Sequence, residues 1–149
     1  MNKKFLAFSL LTLLSINPAN LLAADDRTYV GGRSASDDGG PPFSAAVMVD
    51  DILYVSGNLG LVDGKIPDDP ADEARAVMDA IKSSVEAAGL TMDDVFVVQI
   101  FCSDVSTYGA FNDVYKTYFS NEYPARAFIG SGPLLFGARF EVMVTAKKR

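Results

Sequence analysis

Apolar and polar positions follow two rhythms along this chain, and the changes of rhythm mark out its elements. Residues 45–49 (Ala-Ala-Val-Met-Val) and 52–56 (Ile-Leu-Tyr-Val-Ser) are short apolar runs on either side of Asp50-Asp51. Two such runs around a two-residue acidic turn predict a β-hairpin. Asp63-Gly64 predicts a second turn. Asp69-Pro70 then opens a helix, because aspartate caps and proline suits the first helical position. Ala74, Val77, Met78, Ile81, Val85 and Ala88 recur at helical spacing and form one apolar stripe, which Gly89 ends. Residues 95–102 read as a strand, and a second helix begins near Ser106 with Phe111, Val114, Tyr115 and Tyr118 as its buried stripe. Residues 125–130 and 139–146 predict two further strands.

The order is hairpin, helix, strand, helix, strand, strand. It implies an α/β fold with one sheet and both helices packed on the same side. The strand at 95–102 carries apolar residues at its odd positions (Val95, Val97, Phe101) and at its even ones (Phe96, Val98, Ile100, Cys102). Both faces of the sheet therefore call for burial. No third helix exists to cover the second face. Either a neighbouring copy covers it, making a homo-oligomer, or a loop or arm folds across it.

Before the hairpin the rhythm is lost. Lys3-Lys4, an apolar run at 5–16, the breakers Asn17, Pro18 and Asn20, and Leu21-Leu22-Ala23-Ala24 have the layout of a secretory signal peptide. We expect 1–24 to be a leader cut near Ala23 or Ala24, leaving a periplasmic or secreted protein with no membrane segment; an uncleaved anchor is the other reading. Residues 25–42, polar and glycine-rich, read as a mobile arm. Residues 43–149 read as the folded domain.

The whole chain has 13 basic and 19 acidic residues, a net charge of −6, and losing Lys3 and Lys4 leaves 11 against 19, or −8. Such a surface repels a phosphate backbone, so no nucleic-acid partner is expected. One cysteine, Cys102, cannot form an internal disulfide. With no histidine, a Cys/His zinc site and a Ser-His-Asp triad are both excluded.

Four polar positions stand out. Arg126 enters the apolar run Ala127-Phe128-Ile129, where an unpaired charge is costly. It is either a salt-bridge partner or a fork for a carboxylate. Glu141 faces away from Phe140, Val142, Val144 and Ala146, together with Arg139, Met143 and Thr145. From the residues alone it is a salt-bridge partner of Arg139 or of a neighbouring strand, held at an interface if that face meets another subunit. Ser56, with Gly57, ends a strand and enters a turn, which its hydroxyl stabilises. Asn112 lies beside the second helix's stripe and serves loop backbone or a ligand.

Val55-Ser56-Gly57, Val85-Glu86-Ala87-Ala88-Gly89-Leu90, Phe101-Cys102-Ser103-Asp104, Phe111-Asn112-Asp113-Val114-Tyr115, Tyr123-Pro124-Ala125-Arg126 and Phe140-Glu141-Val142 come in an order and spacing that resembles the RidA/YjgF family of reactive-intermediate deaminases. The resemblance covers residues from about Pro42 to the C-terminus. It implies a chorismate-mutase-like fold and a barrel-shaped homotrimer with ligand clefts between subunits. It also implies cofactor-independent hydrolysis of enamines and imines of the 2-aminoacrylate type, which leak from pyridoxal-phosphate enzymes, to 2-keto acids and ammonia. By the same resemblance Arg126 holds the substrate carboxylate and Glu141 handles water and protons. Ser56, Gly57, Asn112, Phe43 and Phe128 border the ligand. The family often has Tyr at Phe43, Cys at Phe128 and Gln at Asn58, and Phe43 and Phe128 would make the cleft here more apolar. Alternative readings are a trimeric module that binds a small carboxylate without turnover, or a holdase-like interaction protein. Nuclease activity, attached to some relatives, suits the acidic charge least.

Overall fold

The computed structural model describes residues 26–32 and 39–148. The expected leader and its cut site lie outside them. Six strands form one sheet: β1 (Arg27–Val30), β2 (Ala46–Val49), β3 (Ile52–Leu59), β4 (Val95–Cys102), β5 (Ala125–Gly130) and β6 (Phe140–Lys147), in the spatial order β1-β2-β3-β6-β4-β5. Two helices, α1 (Pro70–Ala87) and α2 (Tyr108–Tyr115), connect β3 to β4 and β4 to β5. β4 and β5 are parallel, and the other neighbours are antiparallel.

Local chemistry explains most of these elements. The hairpin turn at Asp50-Asp51 forms as expected, with Asp50 at φ 52°. Asp63 and Gly64, at φ 49° and 76°, close a tight turn between Val62 and Lys65, the geometry that suits a two-residue hairpin loop. The Asp69 carboxylate accepts from the Ala71 N–H at 2.7 Å, and Pro70 fills the first helical position of α1. Gly89, at φ 78°, ends that helix, with its own N–H and that of Leu90 closing onto the last turn.

The core lies between the sheet and the two helices. Leu53, Val55, Val98, Ile100, Cys102, Phe140, Val142 and Val144 of the sheet meet Val77, Met78, Ile81 and Val85 of α1 and Phe111 of α2. Phe111 is the pivot of α2, 4.8 Å from the Phe140 ring and 5.6 Å from that of Phe128.

Three expectations change. Within the segment read as an arm, Arg27–Val30 is a strand, β1, that extends the sheet beside β2. An edge strand's free backbone groups offset the polar composition that suggested disorder. The strict alternation along β4 breaks at a β-bulge. Val95 pairs with Ala146 and Val97 with Thr145, so Phe96 is the extra residue. Val95 joins the core side, and Phe96 is pushed out to 44% exposure. Arg139 does not share the open face with Glu141. It precedes β6 and turns to the helix side, where Nη1 meets Glu73 Oε2 at 2.7 Å.

The sheet face away from the helices carries Tyr54, Phe96 and Met143, all exposed. β1 continues the sheet edge and does not fold across that face.

Candidate functional site

Arg126 stands on β5 opposite Val98, and it shares its face with Phe128, which is opposite Ile100. Both side chains turn toward α2 and are half-buried. The helix meets the guanidinium with Tyr108, Asn112 and Tyr115, spaced four and three residues apart and so on one face. Nη1 donates to Asn112 Oδ1 at 2.8 Å, and Nη2 donates to the Tyr108 hydroxyl at 3.3 Å. The guanidinium carbon lies 4.6 Å from the centre of the Tyr115 ring. The rings of Tyr108 and Phe128 flank it at 5.8 and 5.9 Å. Two hydrogen bonds and a ring face fix the fork, and a guanidinium has five N–H donors, so donors remain for a ligand. A hollow of ≈ 370 Å³ opens beside it, lined by Asn112, Tyr115, Lys116, Tyr123, Pro124 and Arg126.

Glu141 lies elsewhere. It stands on β6 between Leu59 of β3 and Phe101 of β4. Arg126 is level with Val98, three residues from Phe101 along β4, so the odd offset puts the two side chains on opposite faces of the sheet. Within one protomer, this pair does not meet. Among the described residues no cation or hydrogen-bond donor pairs with the Glu141 carboxylate, which leaves it available for chemistry.

Ser56 and Gly57 build the floor under Glu141. The β3–β6 ladder skips them, since Val55 pairs with Val144 and Asn58 with Val142. The Ser56 hydroxyl donates to Ser44 O at 2.7 Å and its N–H to Ala45 O at 3.0 Å, which ties the Phe43–Ser44 segment to the bulge. Asn58 Nδ2 donates back to Ser56 O at 2.8 Å. A side chain at Gly57 would run into the Glu141 carboxylate. We therefore expect Gly57→Ala to push that carboxylate aside with little loss of stability, because the group displaced is the end of a flexible side chain. A crystal structure of the variant beside a melting curve checks this, and a carboxylate left in place would show that Gly57 does not position Glu141.

The sequence-predicted residues thus fall into two half-sites. Arg126, Asn112 and Phe128 gather at the β5–α2 edge. Ser56, Gly57 and Glu141, with Phe43 exposed nearby, gather at the β3–β6 bulge. Asn112 acts first as a partner of Arg126, and Phe128 packs edge-on against Tyr108 at 4.9 Å. Sequence reasoning missed Tyr108 and treated Tyr115 as core alone. Their spacing around Asn112 was the available signal.

Tyr115 is pushed up to about 12 by burial, against a smaller opposing pull from the Arg126 charge. Its folded pKa lies above its unfolded value of about 10. The neutral phenol therefore favours the fold fully below pH 10, and that contribution fades as pH rises through about 12. Tyr118, also raised, chiefly by burial, adds to the same trend. Urea midpoints between pH 9 and 12 should fall, and less steeply in Tyr115→Phe. Identical slopes would remove Tyr115 as a cause.

The half-sites sit in a chain that matches known proteins over most of its length. The model of the family described as Endoribonuclease L-PSP matches residues 34–148. A 2-iminobutanoate/2-iminopropanoate deaminase from Capra hircus is 35% identical over 108 residues, covering 70% of this chain and 79% of the relative. A RutC family protein from Saccharolobus solfataricus is 37% identical over 111 residues, covering 72% and 87%. Among solved structures, RidA from an Antarctic Psychrobacter superposes with a TM-score of 0.69 at 29% identity, covering 73% of this chain and 90% of the other. With its one sheet, its two helices on a single face and these relatives, the chain belongs to the RidA/YjgF family.

Proposed function

We propose that this protein hydrolyses enamines and imines derived from amino acids, of the 2-aminoacrylate type, to 2-keto acids and ammonia without a cofactor. The observation that carries this reading is the Arg126 fork, fixed by Asn112, Tyr108 and Tyr115 at the mouth of a hollow with donors to spare. The deaminase names of relatives about a third identical point the same way. An imine carbon is already electrophilic, so orientation beside one water supplies most of what the reaction needs. Arg126 holds the substrate carboxylate. Glu141 takes a proton from water as its oxygen bonds to C2, and the C=N electron pair moves to nitrogen. The same carboxyl returns that proton to the nitrogen, which gives a carbinolamine; it then takes the hydroxyl proton and passes it to the nitrogen, so that the C–N bond breaks and ammonia leaves as the carbonyl forms.

Because Arg126 and Glu141 lie on opposite faces of one sheet, we place the working site between protomers of a homotrimer. The exposed Tyr54, Phe96 and Met143 on the open face support that assembly. Light scattering on the purified protein tests it, and a monomer would end the shared-site argument. The leader layout at 1–24 supports export to the periplasm or beyond, which a reporter fusion to that segment tests. With 19 acidic and 13 basic residues, a small carboxylate suits this surface better than RNA.

The deciding experiment generates iminopyruvate with an amino-acid oxidase and follows its decay. Faster decay with the purified protein supports the enzyme. One observation favours a second reading, a module that binds a carboxylate without turnover. The Ser56 hydroxyl already donates to Ser44 O, so it offers a ligand only its lone pairs. Keto-acid binding with no effect on decay would select that reading.

A further inference from the structure

Tyr115 has more to offer than its ring. It is 4% exposed, and its hydroxyl is a buried polar atom with no hydrogen-bond partner among the described residues. A buried hydroxyl without a partner destabilises a fold, so such a group needs an explanation. Every other feature of the residue is well packed. Its ring lies 5.9 Å from that of Phe111 and 4.9 Å from that of Phe119, and it carries the Arg126 guanidinium on its face at 4.6 Å. A phenylalanine would make all of these contacts.

The same residue lines the hollow beside Arg126, together with Tyr123 and Pro124. The Tyr123 ring stacks against that of Tyr115, with centroids 6.4 Å apart and planes 26° apart. Tyr123 is 62% exposed and lies just ahead of β5, so its ring can swing out and admit a ligand to the Tyr115 wall.

We propose that Tyr115 is a ligand-binding residue, whose unpaired hydroxyl donates to a carboxylate oxygen of the substrate while its ring holds the Arg126 fork flat for the other oxygen. The proposal rests on the reading of Arg126 as the carboxylate anchor. The chemistry of the group fits. Burial keeps the phenol protonated far above neutral pH, so it stays a donor. A donor reserved for a charged acceptor gives strong discrimination, because a ligand without that oxygen leaves it unpaired. The ligand class that follows is a planar 2-imino or 2-keto acid with a free carboxylate. The corresponding ester or amide is rejected.

Tyr115→Phe tests this, because it keeps the ring and removes only the hydroxyl. At neutral pH the variant should melt at the same temperature as the parent or slightly higher. Its Kd for pyruvate by calorimetry and its KM for iminopyruvate should rise about tenfold or more, with kcat little changed. Methyl pyruvate should bind parent and variant equally weakly. Unchanged Kd and KM would overturn the proposal. So would a melting temperature lower by several degrees, which would mean the hydroxyl has a structural partner in the assembled protein. A parent protein that binds pyruvate tightly and leaves iminopyruvate decay unaltered sinks the deaminase reading, while the Tyr115 comparison by calorimetry still decides this inference. A parent that binds neither acid overturns both.

Discussion

Glu73→Ala is expected to lower the melting temperature by about 10 °C or more, the loss of roughly 3–5 kcal/mol that follows when one half of a buried ion pair is removed. Glu73 is 0% exposed, the only charged side chain so deeply buried among the described residues. Its Oε1 accepts the N–H groups of Arg139 at 2.6 Å and Phe140 at 3.1 Å. Its Oε2 accepts from Arg139 Nη1 at 2.7 Å. That guanidinium also donates to Pro67 O at 3.0 Å and Asp68 O at 2.8 Å. One carboxylate therefore joins the first turn of α1, the loop before it and the start of β6. The backbone passes so near that a side chain at Gly60 would collide with the Glu73 carbonyl. Alanine would strand two backbone donors in the interior and take the carboxylate from a half-buried guanidinium. Glu73→Gln keeps the volume and one acceptor and should fall between the two. Arg139→Ala should lose a comparable amount, and the double variant less than the sum of the singles. Urea denaturation measures all four proteins, and a loss below about 1 kcal/mol for Glu73→Ala would make this clamp incidental.

That clamp also shows where sequence reasoning stops. Glu73 reads as an ordinary acidic residue in a helix's first turn, which is favourable on its own account. Nothing local says that Arg139, 66 residues on, will fold back to meet it. The alternation along β6 suggested that Arg139 would side with Glu141. It fails because Arg139 lies before the strand begins, where the two-residue rule does not hold. Phe96 misled in the same way, since a bulge shifts every residue on one side of it to the other face. What depended on local rules was legible. The Asp69 cap, the Gly89 stop, both acidic turns and the helical stripes are each decided within a few residues. The candidate site was legible as a set of residues but not as an arrangement. Arg126, Asn112, Ser56, Gly57 and Glu141 were all marked from the sequence. Their division into two half-sites depends on strand register, and register is a pairing between distant segments.

This division yields the sharpest functional expectation. Alone, Arg126→Ala should lower kcat/KM about 10²–10³-fold, because the carboxylate loses its charged fork. Alone, Glu141→Gln should lower kcat by about 10² or more, with substrate binding largely kept, because the carboxamide can neither take nor return the proton. Neither side chain is part of the apolar core, since Arg126 sits half-buried at a sheet edge and Glu141 faces the open side. In one protomer each side chain points away from the other. Suppose each site takes Arg126 from one subunit and Glu141 from the next. Then trimers refolded from an equal mixture of the two inactive variants regain intact sites wherever a Glu141→Gln subunit lends its arginine to an Arg126→Ala subunit. For random mixing around a closed ring, that is about a quarter of all sites. The mixture should therefore recover about a quarter of wild-type activity, far above either parent. The same mixture made without unfolding, so that subunits cannot exchange, should stay inactive. If both residues act within one protomer, through a rearrangement that brings them to one face, mixing restores nothing. Sheet register alone makes that outcome unphysical without breaking the β4–β6 ladder, so recovery in the refolded mixture tests the shared site and the register together.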